Sequence, residues 1–118
     1  DEVCADRERN FQHYQRQLKN SYWKVEPLDD TFTSNFAYPV IHPKRDMIVE
    51  ALQRQHIEVR PMICGSMGTQ PFYMKRYEQL ILKNVMEIDT FGFYLPNHPD
   101  LTHDDITLVC NIVNEYTK

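Results

Sequence analysis

Cys4, Phe11, Tyr14 and Leu18 recur at helical spacing among charged and amide residues, and this stripe predicts an amphipathic helix over about residues 2–20. "YWKVEP" and a polar connection, "LDDTFTS", follow, with turn-forming Asp29, Asp30 and Ser34. "NFAYPVIH" then alternates Phe36, Tyr38 and Val40 on one face and is rich in aromatic and β-branched residues, as strands are. Pro39 within it has no N–H for a ladder, so the strand belongs at an edge or a bulge. Past the break at His42-Pro43, Met47, Ile48, Ala51 and Leu52 share one side of a short helix. "HIEVRP" returns to period two, Ile57 and Val59 opposite Glu58 and Arg60, and Pro61 ends the ladder.

The second half continues the alternation. "FYMKRYEQLILKN" reads as a helical turn and connector, "VMEID" as a short helix, and "TFGFYLP" as a strand carrying Phe91, Phe93 and Leu95 on one face. Asn97, His98 and Pro99 turn the chain. Thr102 and Asp105 stand at capping-box spacing, with Asp in place of the usual Glu or Gln, and Asp104 and Asp105 suit the positive end of a helix. Ile106, Val109, Cys110, Val113 and Tyr116 form the buried stripe of that last helix. The order helix, strand, helix, strand, strand, helix predicts an α/β (α+β) fold: a small sandwich of three or four mainly antiparallel strands with helices packed on one face.

Composition narrows the class. At 118 residues the chain suits one domain with one core. Hydrophobic residues at 42% and charged residues at 25% are ordinary for a folded protein and argue against disorder. With a net charge of −4 and acidic and basic residues interleaved, no cationic stripe offers a footprint for nucleic acid. No apolar run reaches the roughly 20 residues that cross a bilayer, and "DEVCADRERN" is unlike a signal peptide, so neither membrane nor export is expected. Cys4, Cys64 and Cys110 are odd in number and widely spaced, which points to reduced thiols in a cytoplasmic protein, Cys110 in the core and Cys64 in an exposed loop.

The chemistry-bearing candidates are few. "EVRPMICGSMGTQPFY" places Gly65 and Gly68 after a strand, where backbone N–H groups could meet an anion. "GSMG" matches neither glycine-rich phosphate motif, and an ordinary strand-to-helix turn needing positive φ at Gly65 or Gly68 accounts for it better. His98, Asp100, His103, Asp104 and Asp105 cluster in "NHPDLTHDD", yet helix capping explains the acidic members and no His pair has the i, i+4 spacing of a helical zinc site. Ser66 and His56 lack any elbow or spacing that ties a base to a nucleophile.

Together, "NFAYPVIHPKRDMIVEALQRQHIEVRPMICGSMGTQPFY" and "LKNVMEIDTFGFYLPNHPDLTHDDITLVCNIV" resemble the C-terminal part of the DegT/DnrJ/EryC1/StrS family of sugar-modifying enzymes. "RPMICGSMGTQP" is similar to the group acting on nucleotide-linked 4-keto-6-deoxyhexoses, 3-dehydratases included. Most aminotransferase relatives have a histidine in this loop, and here none lies between Arg60 and Phe72. The resemblance implies the small C-terminal domain of a fold-type I enzyme dependent on pyridoxal phosphate, occupying residues 1–118. The large N-terminal domain, with the lysine or histidine at the cofactor, has no counterpart in this sequence. No catalytic residue, metal or cofactor is therefore expected on this chain itself. The family implies a nucleotide-linked deoxysugar as substrate, a homodimer in the full-length enzyme, and a role in lipopolysaccharide or other surface-polysaccharide synthesis. The loop facing the substrate cleft would comprise Arg60, Met62, Gly65, Ser66, Met67, Gln70 and Phe72. The alternative is a free-standing binding or interaction module without catalysis.

Overall fold

The computed structural model of the chain describes residues 1–19, 23, 24, 26–63 and 65–117. Asp1 opens helix α1 (Glu2–Gln17) by accepting the Val3 N–H, and Leu18 ends it in an extended conformation. Lys24 closes the other end, its ammonium donating to the carbonyls of Gln15 and Leu18, where a cation suits the negative end of a helix. The apolar stripe is used from its middle onward: Phe11, Tyr14 and Leu18 are buried, while Cys4 is half-exposed.

Strand β1 (Ala37–Ile41) leads to α2 (Arg45–Arg54) and the two-residue strand β2 (Arg60–Pro61). A 3-10 turn (Met67–Thr69) and the single-turn α3 (Pro71–Met74) follow, then α4 (Lys83–Phe91), β3 (Gly92–Pro96) and α5 (His103–Glu115). The sheet order is β1-β3-β2 with both pairings antiparallel, in agreement with the expected α+β class. β1 is an edge strand, the position that tolerates Pro39. Opposite Tyr38 and Val40 stand Leu95 and Phe93, so these four side chains share one face. That face meets α1, α2 and α5 in a core of Phe11, Tyr14, Ile48, Leu52, Ile106, Val109 and their neighbours. Tyr14 stacks on Tyr38 at 4.8 Å between ring centroids and donates its hydroxyl to the Pro96 carbonyl at 2.8 Å. Thr102 and Asp105 form the reciprocal capping box, each side chain taking the other's backbone N–H.

Four local expectations change. Phe36 does not join Tyr38 and Val40: a bend precedes β1 and leaves the ring exposed on the opposite side, 5.5 Å from Tyr94. The second strand is cut to Arg60–Pro61, because only these residues find partners on β3; Ile57 and Val59 still pack against the core. The short helix before β3 runs on to Phe91, so β3 begins at Gly92. Met47 is exposed, since the buried face of α2 is narrowed to Ile48 and Leu52. The cysteine expectation splits. Burial pushes the Cys110 thiol up to about 12, making it an inert core residue, whereas Cys64 lies outside the described residues. Among the described residues no helix is long and apolar enough to cross a membrane.

The α1–α5 seam contains a titratable pair. His13 is buried, lies edge-on to His103 at 3.9 Å between ring centroids, and its Nε2 is 3.2 Å from the Thr107 hydroxyl. Burial, then the nearby His103 and Arg16, lower its pKa below the ordinary imidazole value. The unfolded chain therefore takes up a proton at a pH where the folded chain does not. Stability from this group is complete above about pH 6.5 and is lost as pH falls from there towards the depressed folded pKa. Urea unfolding between about pH 7.5 and 5 should show this decline. His13→Gln should make the profile shallower, leaving the part that buried His42, its pKa also lowered, contributes with the same sign, and an unchanged slope would assign the decline to His42.

Candidate functional site

Alternation along β1 and β3 leaves a second sheet face, bearing Ala37, Pro39, Ile41 and Tyr94. A face turned to water carries polar side chains; this one is apolar. It forms the floor of a groove of about 900 Å³. Val85, Glu87, Ile88 and Asp89 of α4 line one wall, Met62, Ile63 and Gly65 another, and Trp23, Asn35 and Phe36 the rim near β1.

Local chemistry holds these walls. Gly65 has φ +79°, a conformation that favours glycine, and its N–H donates to the Met62 carbonyl to close the turn after β2. A Cβ at Gly65 would also come within 2.7 Å of the Asp89 carboxylate, so glycine lets the turn lie directly against α4. Arg45 at the start of α2 donates to the Asp89 carbonyl at 3.0 Å, fixing the end of α4. Beside it, buried His42 accepts the Lys44 N–H on Nδ1, which places its proton on Nε2, and its own backbone N–H donates to the Phe91 carbonyl. Burial lowers the His42 pKa, with Lys44 adding to the effect, which favours the neutral ring.

The expected loop residues divide. Met62 and Gly65 line the groove. Arg60 stands opposite Tyr94 in the ladder and therefore on the groove's side of the sheet, at its β2 edge. Its guanidinium points to solvent and makes two hydrogen bonds to Glu58, at 2.9 and 2.7 Å, with both side chains more than 70% exposed. Ser66 is buried, and its carbonyl accepts the Thr69 hydroxyl. Met67 and Phe72 are exposed on the outer surface, and half-buried Gln70 starts α3 through its carbonyl, which accepts from Tyr73 and Met74. None of Ser66, Met67, Gln70 and Phe72 is among the lining side chains.

Sequence reasoning missed the other walls. The signal was present in Ala37, Pro39, Ile41 and Tyr94, outward positions too apolar for solvent, and in Val85 and Ile88, one helical turn apart. Chemically, the groove offers aromatic and aliphatic surface with two amides, Asn35 and Asn84, and two carboxylates, Glu87 and Asp89. Such a lining takes rings and hydroxyl groups. It does not fit pyridoxal phosphate: among the described residues lining it there is no lysine to condense with the aldehyde and no cation for the phosphate.

Solved structures share this fold. The sugar aminotransferase CalS13 from Micromonospora echinospora superposes with a TM-score of 0.85 at 17% identity, covering 98% of this chain and 31% of that one. A DegT DnrJ EryC1 StrS aminotransferase from Brucella abortus gives 0.80 at 22% identity, covering 97% of this chain and 31% of that one. An E. coli GDP-4-keto-6-deoxy-D-mannose-3-dehydratase, solved with bound hydrated PLP, gives 0.78 at 20% identity, covering 95% and 31%. The chain thus spans about a third of the length of these proteins. No curated protein matches it. The model of the DegT/DnrJ/EryC1/StrS aminotransferase family matches residues 1–114, and the chain belongs to that family.

Proposed function

We propose that this chain forms a wall of the substrate cleft in a pyridoxal-phosphate-dependent enzyme of nucleotide-sugar metabolism. The enzyme would be an aminotransferase or a 3-dehydratase acting on a nucleotide-linked 4-keto-6-deoxyhexose in lipopolysaccharide or other surface-polysaccharide synthesis in the cytoplasm. Residues 1–118 are its small C-terminal domain. A large N-terminal domain of the same polypeptide holds the cofactor, which supplies the electron sink for the chemistry at the sugar, and two polypeptides form a homodimer. The observation that carries this reading is the groove on the outer face of the sheet, closed on one side by the glycine turn after β2. Its apolar floor suits a ring, and its carboxylates and amides suit hydroxyl groups. Met62 and Gly65 contribute to the wall, while Ser66, Met67, Gln70 and Phe72 build the turn behind it and its outer surface.

The test is an assay of the complete protein with pyridoxal phosphate, glutamate and a panel of GDP- and dTDP-linked 4-keto-6-deoxyhexoses, read by mass spectrometry. An amino sugar or a 3-deoxy sugar is expected. Unchanged substrate across the panel overturns the reading.

Two further expectations follow from it. Among the described residues lining the groove the charged groups are both acidic, so a diphosphate belongs at its edge, where Arg60 presents a fork suited to phosphate oxygens. Arg60→Ala should weaken nucleotide-sugar binding by about 1.5 kcal/mol, the low end for hydrogen bonds to charged groups, because the site is open to water. Loss of the Glu58 pair should change stability by less than about 1 kcal/mol. Calorimetric titration of the complete protein distinguishes these quantities, and parental affinity would make Arg60 purely structural.

The second concerns the surface. Phe72, Tyr77, Leu80, Ile81 and Leu82 are all exposed along one segment, and exposed apolar side chains gathered in this way mark contact sites. We assign it to contact with the large domain. The isolated chain should accordingly self-associate at high concentration in sedimentation velocity. A strictly monomeric chain would argue against that contact.

A further inference from the structure

Asn97, directly after β3, is 1% exposed, and its amide has one possible orientation. Nδ2 donates to the Asn35 carbonyl at 2.8 Å and to the Arg7 carbonyl at 3.2 Å. Turning the amide over would set Oδ1 against two oxygens, so Oδ1 is fixed as the acceptor. It is buried with no donor among the described residues. Two more buried atoms on the segments this amide joins also lack partners among the described residues: Nε of Arg7 and Oγ of Ser34, the residue before Asn35. Each such group left unpaired is destabilising, so each calls for a partner.

Donor and acceptor counting identifies the missing partner. An anion would accept from Arg7 and Ser34 and be repelled by Asn97 Oδ1. A cation would be repelled by the Arg7 guanidinium. A group that accepts once and donates twice satisfies all three, and atoms closed to solvent admit nothing large. We propose that Arg7, Ser34 and Asn97 hold one buried water molecule, which accepts from Arg7 Nε–H and donates to Asn97 Oδ1 and Ser34 Oγ. Three hydrogen bonds are typical of an internal water. This water ties α1, the 34–35 segment and the end of β3 into one junction. Because Asn35 lines the groove, the junction sets the position of the groove's rim from behind.

A crystal structure of the protein, grown without sulfate or phosphate, should place one water about 2.7–3.2 Å from all three atoms. A direct contact between Arg7 Nε and Asn97 Oδ1 with no water between them, or an anion at that point, overturns the proposal. In solution, oxygen-17 relaxation dispersion counts long-lived internal waters. Arg7→Met keeps the apolar stem and removes the donor, and it should hold one such water fewer than the parent. Equal counts in the two proteins also overturn the proposal.

Discussion

Phe93→Ala should destabilise the fold by about 3–5 kcal/mol, the range for deleting a buried aromatic ring and leaving its cavity. Phe93 is 1% exposed on the central strand, beside Val40 across the ladder, on the face where α1, α2 and α5 meet. No single helix can move in to fill the space without losing its contacts with the other two. A domain of this size has about 5–15 kcal/mol in total, so the variant should unfold at markedly lower urea concentration with an unchanged slope. Tyr94→Ala, one residue along and on the opposite face, should be much milder, because its ring lines the open groove. Equal losses for the two variants would mean that the groove face is packed as tightly as the core.

Gly92→Ala should lose about 3 kcal/mol, the upper end for overpacking. Gly92 joins α4 to β3 without a spacer: its N–H donates to the Ile88 carbonyl, ending the helix, and its carbonyl side already lies in the ladder opposite Ile41. An added Cβ would overlap the Ile88 carbonyl oxygen, which is backbone, and would come within 2.5 Å of Met62 Cγ. Met62 can move, and moving it opens the wall of the groove; the carbonyl cannot move without unwinding the end of α4. The expected signature is a loss of stability together with weakened nucleotide-sugar binding by the complete protein. An alanine variant as stable as the parent, with the same affinity, would show that the junction has slack.

The class of the fold was legible because periodicity reports burial, and burial on one face is a local property of helices and strands. α5 illustrates this: Ile106, Val109, Cys110 and Val113 lie one side of a helix whose capping box can be read from Thr102 and Asp105. Tyr38, Val40 and Leu95 were likewise readable as inward positions, and the paired motifs around Gly65 and Asn97 carried the family resemblance. Boundaries were less legible, because they depend on which residues find partners. Ile57 to Val59 have strand chemistry, yet β3 reaches only Arg60 and Pro61, and Phe36 fits the alternation until the chain bends before β1.

The groove belonged to the tertiary structure. Its floor, wall and rim come from residues 23, 35–37, 39, 41, 62, 63, 65, 84, 85, 87–89 and 94, which no window along the chain brings together. Glycine at 65 and 92 was visible in the sequence, but the reasons for it were not. The Asp89 carboxylate that excludes a Cβ at Gly65, and the Met62 side chain that crowds one at Gly92, arrive there through packing of the turn against α4 and the sheet. The same holds for Asn97, a turn residue by sequence, whose amide is buried because α1 and the 34–35 segment converge on it. Period and propensity determined which faces seek burial; closure of the chain decided which atoms meet there, since hydrogen bonds and steric exclusion depend on distances between segments remote in sequence.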